Sequence, residues 1–287
     1  MKDDSLSSAV GQALLCVLAV FVIITVSASV FEGFQETWMA RRDDPLAAVI
    51  VYGVQLVDWV LLIGLCLTVK QYRGCLAMLS PRRRGNRPVM LLAGLGLGMG
   101  CNLLAFALAT ATGCVSVSFR VFEPGWLALI FLAVLIQSGA EELLMRMFLM
   151  TRLRQLFPKH AAVAILGNAL AFALMHVFNN GMGLWSWITL ILVGVEYSLL
   201  VYYFDSLWGA IVAHTTWNFT QNILLGLPNS GTATPYGVFA IQGTPTDGFA
   251  YSAAFGLEGC AAACLLLLAF CALLLFLGMR KQRAARA

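Results

Sequence analysis

Charge is what this sequence has least of. Of its 287 residues only 11% are Asp, Glu, Lys or Arg, less than half of the roughly 25% usual in a soluble domain. That shortfall excludes an ordinary water-facing surface. Histidine is scarcer still, with three residues, and no H-E-x-x-H is present, so no single helix carries a ready zinc-protease motif. No G-x-S-x-G occurs either, which removes the serine nucleophile elbow, and Ser138 and Ser206 have no evident partner. Eight cysteines are present without a C-x-x-C spacing. Most lie in apolar runs, where Cys acts as a small hydrophobe, and Cys260 and Cys264, one helical turn apart, are read the same way. No polar gap is long enough for a soluble domain, and no repeat period is visible. The net charge of +4 sits in short loops and the tail, which argues against a nucleic-acid partner.

What is present is hydrocarbon: 60% of residues are apolar. Runs of membrane-spanning length fall at residues 8–30, 45–69, 89–112, 126–150, 161–177, 185–203, 207–225 and 254–279. The fold expected is an all-α polytopic membrane protein, one integral domain over residues 1–287. About eight transmembrane helices would enclose a polar intramembrane site, within a lipid bilayer. The run at 8–30 is too long for a signal-peptide core and is read as a retained span. Lys70, Arg73, Arg82, Arg83, Arg84 and Arg87 share one loop. Arg152, Arg154 and Lys159 share another, and Arg280, Lys281, Arg283 and Arg286 the tail. With the N-terminus inside, all three fall on the cytoplasmic side, so both termini are expected there. An outer polar loop covers 228–253, either a plain connector or a substrate-facing lid.

Against that background Glu141, Glu142 and Arg146 stand out inside the run 126–150. Each ionised side chain at the centre of a membrane helix costs about 2.5 to 3.5 kcal/mol on insertion scales, so the cluster requires polar partners elsewhere. Asp205 reads as a solvated turn residue. Asp58 and Glu196 are single acids in otherwise apolar helices, without an assigned role, and Glu258 is a further buried candidate. His160 lies in a basic loop, whereas His176 and His214 lie in apolar context. Phe172 and His176 are spaced i,i+4, as are His214 and Asn218, and Glu142 and Arg146. Each pair therefore shares a helix face, and Glu142 can pair with Arg146. Glu141 points about 100° away, leaving one acid free of the arginine.

That inventory suits hydrolysis. A carboxylate and an imidazole sharing a water can deprotonate it as it attacks a carbonyl, while an imidazole and an amide donate to the oxyanion. Alternatively Glu141, His176 and His214 would form a zinc ligand set with an open position. A proton-coupled transporter is a competing reading, because intramembrane acids and histidines also build proton relays. A catalytically silent scaffold or immunity protein is another.

The same residues resemble the CAAX prenyl protease and bacteriocin-processing (CPBP) family of intramembrane endopeptidases. The motif E-E-x-x-x-R matches Glu141-Glu142-Leu143-Leu144-Met145-Arg146; F-x-x-x-H matches Phe172 to His176; H-x-x-x-N matches His214 to Asn218. The motifs occur in the family's order, within residues 126–225, which would be the catalytic core. The resemblance implies cleavage of a membrane-associated, lipidated or bacteriocin-like peptide or protein, and an integral location in a bacterial plasma membrane. It casts Glu141 as general base, His176 as its partner on the water, and His214 and Asn218 as the oxyanion site. Glu142, Arg146 and Phe172 would order the site, with Arg146 also available to a substrate carboxylate. It leaves zinc dependence open. One tension is depth: His176 lies near the far end of a full-length fifth span, too high to meet Glu141. A short fifth helix, with residues 178–181 lining a wet cavity, would bring them level.

Overall fold

A computed structural model of the chain describes residues 2–83 and 85–285. The side chains of residues 2–5 and the basic residues Arg84 and Arg286 lie outside the described residues. Helix α1 spans Lys2–Met39. Asp44 caps α2, Pro45–Gly53, by accepting hydrogen bonds from the Leu46 and Ala47 amides at 2.9 and 3.3 Å, which offsets amide donors that a helix start leaves unpaired. After a break at 54–55 the chain continues as α3, Leu56–Thr68. Helix α4 is Pro88–Ala111. Helix α5, Pro124–Glu142, runs through a π-helical stretch, Leu143–Met150, into α6, Thr151–Leu156. Helices α7, Ala161–Met175, and α8, Leu184–Phe204, follow. Helix α9, Leu207–Asn218, also runs into a π-helical stretch, Phe219–Leu224, and α10, Ala261–Ala284, closes the bundle. The only sheet among the described residues is a ribbon at the loop end, β1 (Val117–Phe119) antiparallel to β2 (Phe239–Ile241).

The all-α polytopic membrane class is therefore observed, but the count is smaller than expected. Among the described residues six helical segments are long and apolar enough to cross a membrane, against the eight anticipated. The α5 to α6 run counts as one of them, over Pro124–Leu156. The run at 161–177 yields a helix of 15 residues, about 22 Å at 1.5 Å per residue and short of a hydrocarbon layer of about 30 Å. The run at 207–225 splits into 12 α-helical and 6 π-helical residues. Lipid-facing side chains such as Leu14, Leu18, Leu92 and Leu265 are exposed, as expected where the bilayer is the solvent. All eight residues of the π-helical stretch Leu143–Met150 are buried, placing it in the interior of the bundle.

Basic side chains gather at the C-terminal end of α8, where Lys281 Nζ donates to the Tyr203 carbonyl at 3.1 Å. Arg83 there pairs with Asp205 through both carboxylate oxygens, so Asp205 is a bridged rather than a free turn residue. It adopts a left-handed conformation, φ 58°, that closes α8.

Helix α4 approaches α9 across glycines. A Cβ on Gly94 would lie 2.3 Å from the Gly209 carbonyl oxygen, and one on Gly98 2.0 Å from that of Ala213. Small residues at such a crossing let two membrane helices meet backbone to backbone. Gly98→Ala is expected to cost about 1–3 kcal/mol by overpacking, read as a lower thermal unfolding temperature in detergent. Because α9 carries His214 and Asn218, any catalytic activity should fall with it.

Candidate active site

Glu141 and Glu142 occupy the last turn of α5 and Asn218 ends α9; a π-helical stretch follows each. Such widened turns recur at functional sites, because they re-aim side chains within a helix. His176 caps α7, one residue past its last turn. The short α7 resolves the depth conflict: His176 Nε2 lies 3.9 Å from Glu141 Oε2, and His214 Nε2 lies 3.9 Å from the same oxygen. Two hydrogen bonds of about 2.8 Å through one water span up to about 5.6 Å, so a water can bridge Glu141 Oε2 to either imidazole nitrogen. Of residues 178–181, Asn179 lines the cavity at the site. Phe178 does not: it is 94% exposed and points outward, since a phenyl ring gains nothing from a wet cavity.

The ring orientations of both histidines are set from behind. His176 Nδ1 lies 3.0 Å from the Phe172 carbonyl oxygen. A carbonyl only accepts, so Nδ1 carries the proton there. His214 Nδ1 lies 3.0 Å from Glu142 Oε1 and donates to it. In their neutral forms both imidazoles therefore turn an unprotonated Nε2 toward Glu141.

Glu142 also accepts from Arg146 Nη1 at 2.9 Å, with both side chains fully buried. Arg146 Nη2 donates to the Gly194 carbonyl at 3.2 Å, and the guanidinium lies over the Phe172 ring at 4.6 Å and near Tyr197 at 5.4 Å. Arg146 is thus enclosed, with nothing exposed to receive a substrate carboxylate, contrary to the role the resemblance allowed it. Its charge is spent on Glu142, a carbonyl and two rings, which together offset the desolvation of a buried cation.

Gln137, unassigned in the sequence, is a hub of the site. Its Nε2 donates a short hydrogen bond to Glu141 Oε1. Its Oε1 accepts from Asn218 Nδ2 at 3.0 Å and from Ser138 Oγ at 3.2 Å. Asn218 Nδ2 is also 3.3 Å from Ser138 Oγ, so both amide protons of Asn218 already have acceptors. Glu141 Oε2 has no hydrogen-bond partner among the described residues, and it faces the two imidazoles. The signal for Gln137 was its i,i+4 spacing from Glu141.

Residues 123–220 match the family model of the type II CAAX prenyl endopeptidases, Rce1-like. This part of the chain is similar to that family. The match covers about a third of the chain and contains all three motifs, in agreement with the resemblance read from the sequence. It points to a membrane protease of the CAAX type. No curated protein and no solved structure matches the chain.

The matched region borders a cavity of about 410 Å³, within the size range of ligand sites. Its roof comes from outside the core. Asn229, Ser230 and Thr232 to Pro235, from the outer polar loop, line it, so that loop faces the site and is not a plain connector. Glu258 holds it there, accepting from Asn229 Nδ2 at 3.0 Å, the Ser230 amide at 2.5 Å and Trp217 Nε1 at 2.6 Å. Burial pushes the Glu258 carboxyl above its ordinary value, against the lowering effect of the Ser230 and Trp217 donors. Glu258→Ala would strand these buried donors at about 1–3 kcal/mol each. Faster proteolytic nicking within 228–235 is the expected readout.

Glu196 lies buried, with Oε1 unpartnered among the described residues, and does not line the cavity. All eight cysteines are free and buried.

The zinc reading is tested by the donor geometry. Ligands about 2.0–2.2 Å from a tetrahedral zinc lie about 3.3–3.5 Å apart, whereas Glu141 Oε2 stands 3.9 Å from each imidazole nitrogen. No group of three or more His, Cys, Asp or Glu among the described residues is placed to hold a metal ion. The side chains as arranged do not fit zinc, and no step below runs through one.

Proposed function

We propose that this chain is an intramembrane endopeptidase, in which Glu141 removes a proton from a water as that water attacks a peptide carbonyl of a membrane-associated substrate. The observation that carries the reading is the unpartnered Glu141 Oε2 facing two imidazole nitrogens at 3.9 Å across a cavity. The water gives one proton to Glu141 and keeps the other in a hydrogen bond to His176 Nε2, which aims its lone pair at the carbonyl carbon. Glu141, now protonated, returns that proton to the leaving amine.

The developing oxyanion needs donors. His214 with both ring nitrogens protonated supplies one from Nε2, while its Nδ1 donates to Glu142. Asn218 supplies a second by exchanging its 3.3 Å contact with Ser138 for the substrate oxygen. Gln137 keeps Glu141 and Asn218 in fixed relation throughout. The chain would lie with both termini in the cytoplasm, since the basic loops and tail occupy that end.

The test is cleavage of a membrane-anchored peptide by the purified protein in lipid nanodiscs. His214→Ala is expected to lower turnover by roughly 10²-fold or more, as loss of an oxyanion donor does. Normal turnover in both His214→Ala and Glu141→Ala would remove the mechanism.

A further inference from the structure

We propose that the closing turn of α8, together with the ends of α6 and α10 that meet it, binds the phosphodiester headgroup of an anionic phospholipid. Helix α8 ends on three consecutive aromatic residues, Tyr202, Tyr203 and Phe204. Cations from two other helices lie against them. Arg154, on α6, has its Cζ 4.8 Å from the centroid of the Tyr202 ring. Lys281, on α10, donates from Nζ to the Tyr203 carbonyl at 3.1 Å and lies 5.1 Å from the centroid of the Phe204 ring. The Tyr202 and Tyr203 rings meet edge to face with centroids 5.0 Å apart, so the two cations flank one aromatic floor. Arg280, beside Lys281, stands 5.7 Å over the Phe276 ring.

Each of these cations has donors to spare. Lys281 gives one N–H to the carbonyl and keeps two, and stacking on a ring occupies the face of a guanidinium while its edge N–H groups stay free. Arg154, Arg280 and Lys281 are exposed, and none has a carboxylate within ion-pair distance among the described residues. Asp205, the acid of this turn, is already bridged to Arg83. The cluster therefore carries positive charge that an anion can complete with charge-assisted hydrogen bonds.

The surroundings select which anion. Aromatic residues and cations at the ends of spanning helices mark the membrane–water boundary, where phospholipid headgroups lie. Leu273, Phe276, Leu277 and Arg280 of α10 follow an i, i+3, i+4, i+7 spacing and share one helix face. The three apolar members are 48, 53 and 41% exposed, continuing the exposed apolar surface of Leu265 and Leu268 on the same helix. That face offers about 10 Å of hydrocarbon contact and ends in a cation, the same order as acyl chain and phosphate in a phospholipid. A free phosphate would meet the cations and leave the apolar face unused. Basic clusters between the ends of membrane helices recognise anionic headgroups by this chemistry.

The test is native mass spectrometry of the full-length protein in detergent, titrated with palmitoyl-oleoyl phosphatidylglycerol or with the phosphatidylcholine of the same chains. The tightest phosphatidylglycerol is expected to bind at least about tenfold more strongly than phosphatidylcholine, since several cations act together at the boundary. The ratio should fall below about threefold when Arg154→Gln, Arg280→Gln and Lys281→Gln are combined. Combining Lys70→Gln, Arg82→Gln and Arg87→Gln removes the same charge from exposed positions elsewhere and should leave the ratio unchanged. Arg154→Lys with Lys281→Arg, which keeps the charge, should also preserve it. Arg154→Gln alone is expected to lower the ratio by about threefold, which keeps the test decisive if the first triple variant does not fold. Equal affinity for the two lipids, or a ratio unmoved by the first triple variant or by Arg154→Gln, overturns the proposal. A ratio lost equally in the second triple variant does so too, because the attraction is then diffuse. Displacement of phosphatidylglycerol by millimolar inorganic phosphate would mark a site for a free anion and would likewise overturn it.

Discussion

Glu141→Gln lowers the turnover of a membrane-anchored peptide by roughly 10²- to 10⁴-fold, the range for loss of a positioned general base, or about 3–5 kcal/mol of transition-state stabilisation. The amide has nearly the shape of the carboxylate and still accepts from Gln137 at the Oε1 position, so the cavity wall and the α5 backbone should remain as they are. The loss should therefore appear in kcat with little change in KM, the signature of an interaction made only in the transition state. A matched rise in KM would instead indicate a substrate-binding role for Glu141. Measurement of both constants on one peptide separates the two.

The second large effect is on stability. Arg146→Met leaves the Glu142 carboxylate fully buried with His214 as its remaining donor. Removing one member of a buried ion pair costs about 3–5 kcal/mol, on the order of 10 °C in unfolding temperature for a chain of this size. Replacing both members, Glu142→Leu with Arg146→Met, should recover much of that stability, because apolar side chains of similar volume often substitute well for a buried pair. It should not recover activity, since His214 Nδ1 then has no acceptor to hold its ring. Recovery of stability and activity together would mean that the pair does not orient His214.

The contrast between what the sequence revealed and what it hid has a physical basis. Glu141, Glu142, Arg146, His176 and His214 were legible because each is expensive in hydrocarbon, and their i,i+4 partners followed from helix geometry. The shortness of α7 was legible only through conflict, because a full-length span would have kept His176 from Glu141. Gln137 offered only its i,i+4 spacing from Glu141, because a neutral amide carries little penalty and its contact with Asn218 comes from another helix. The enclosure of Arg146 by Phe172, Tyr197 and Gly194 is tertiary, as is the occupation of both Asn218 protons. The roof loop hid its place over the cavity for the same reason. Its composition reads as a connector, while its tether is Glu258, nearly thirty residues further along the chain. Eight spans were expected where six helical segments among the described residues are long and apolar enough to cross a membrane, because apolar runs around a buried polar site need not be membrane-length helices.

The most direct test of water activation by Glu141 is a single-turnover cleavage in water enriched in ¹⁸O, with the metal content of the same preparation measured. The protein should place one ¹⁸O atom in the new carboxyl terminus, retain that activity after chelation with no bound zinc, and lose it in Glu141→Gln. Label incorporation that persists in Glu141→Gln, or activity that rises and falls with stoichiometric zinc, would contradict the mechanism.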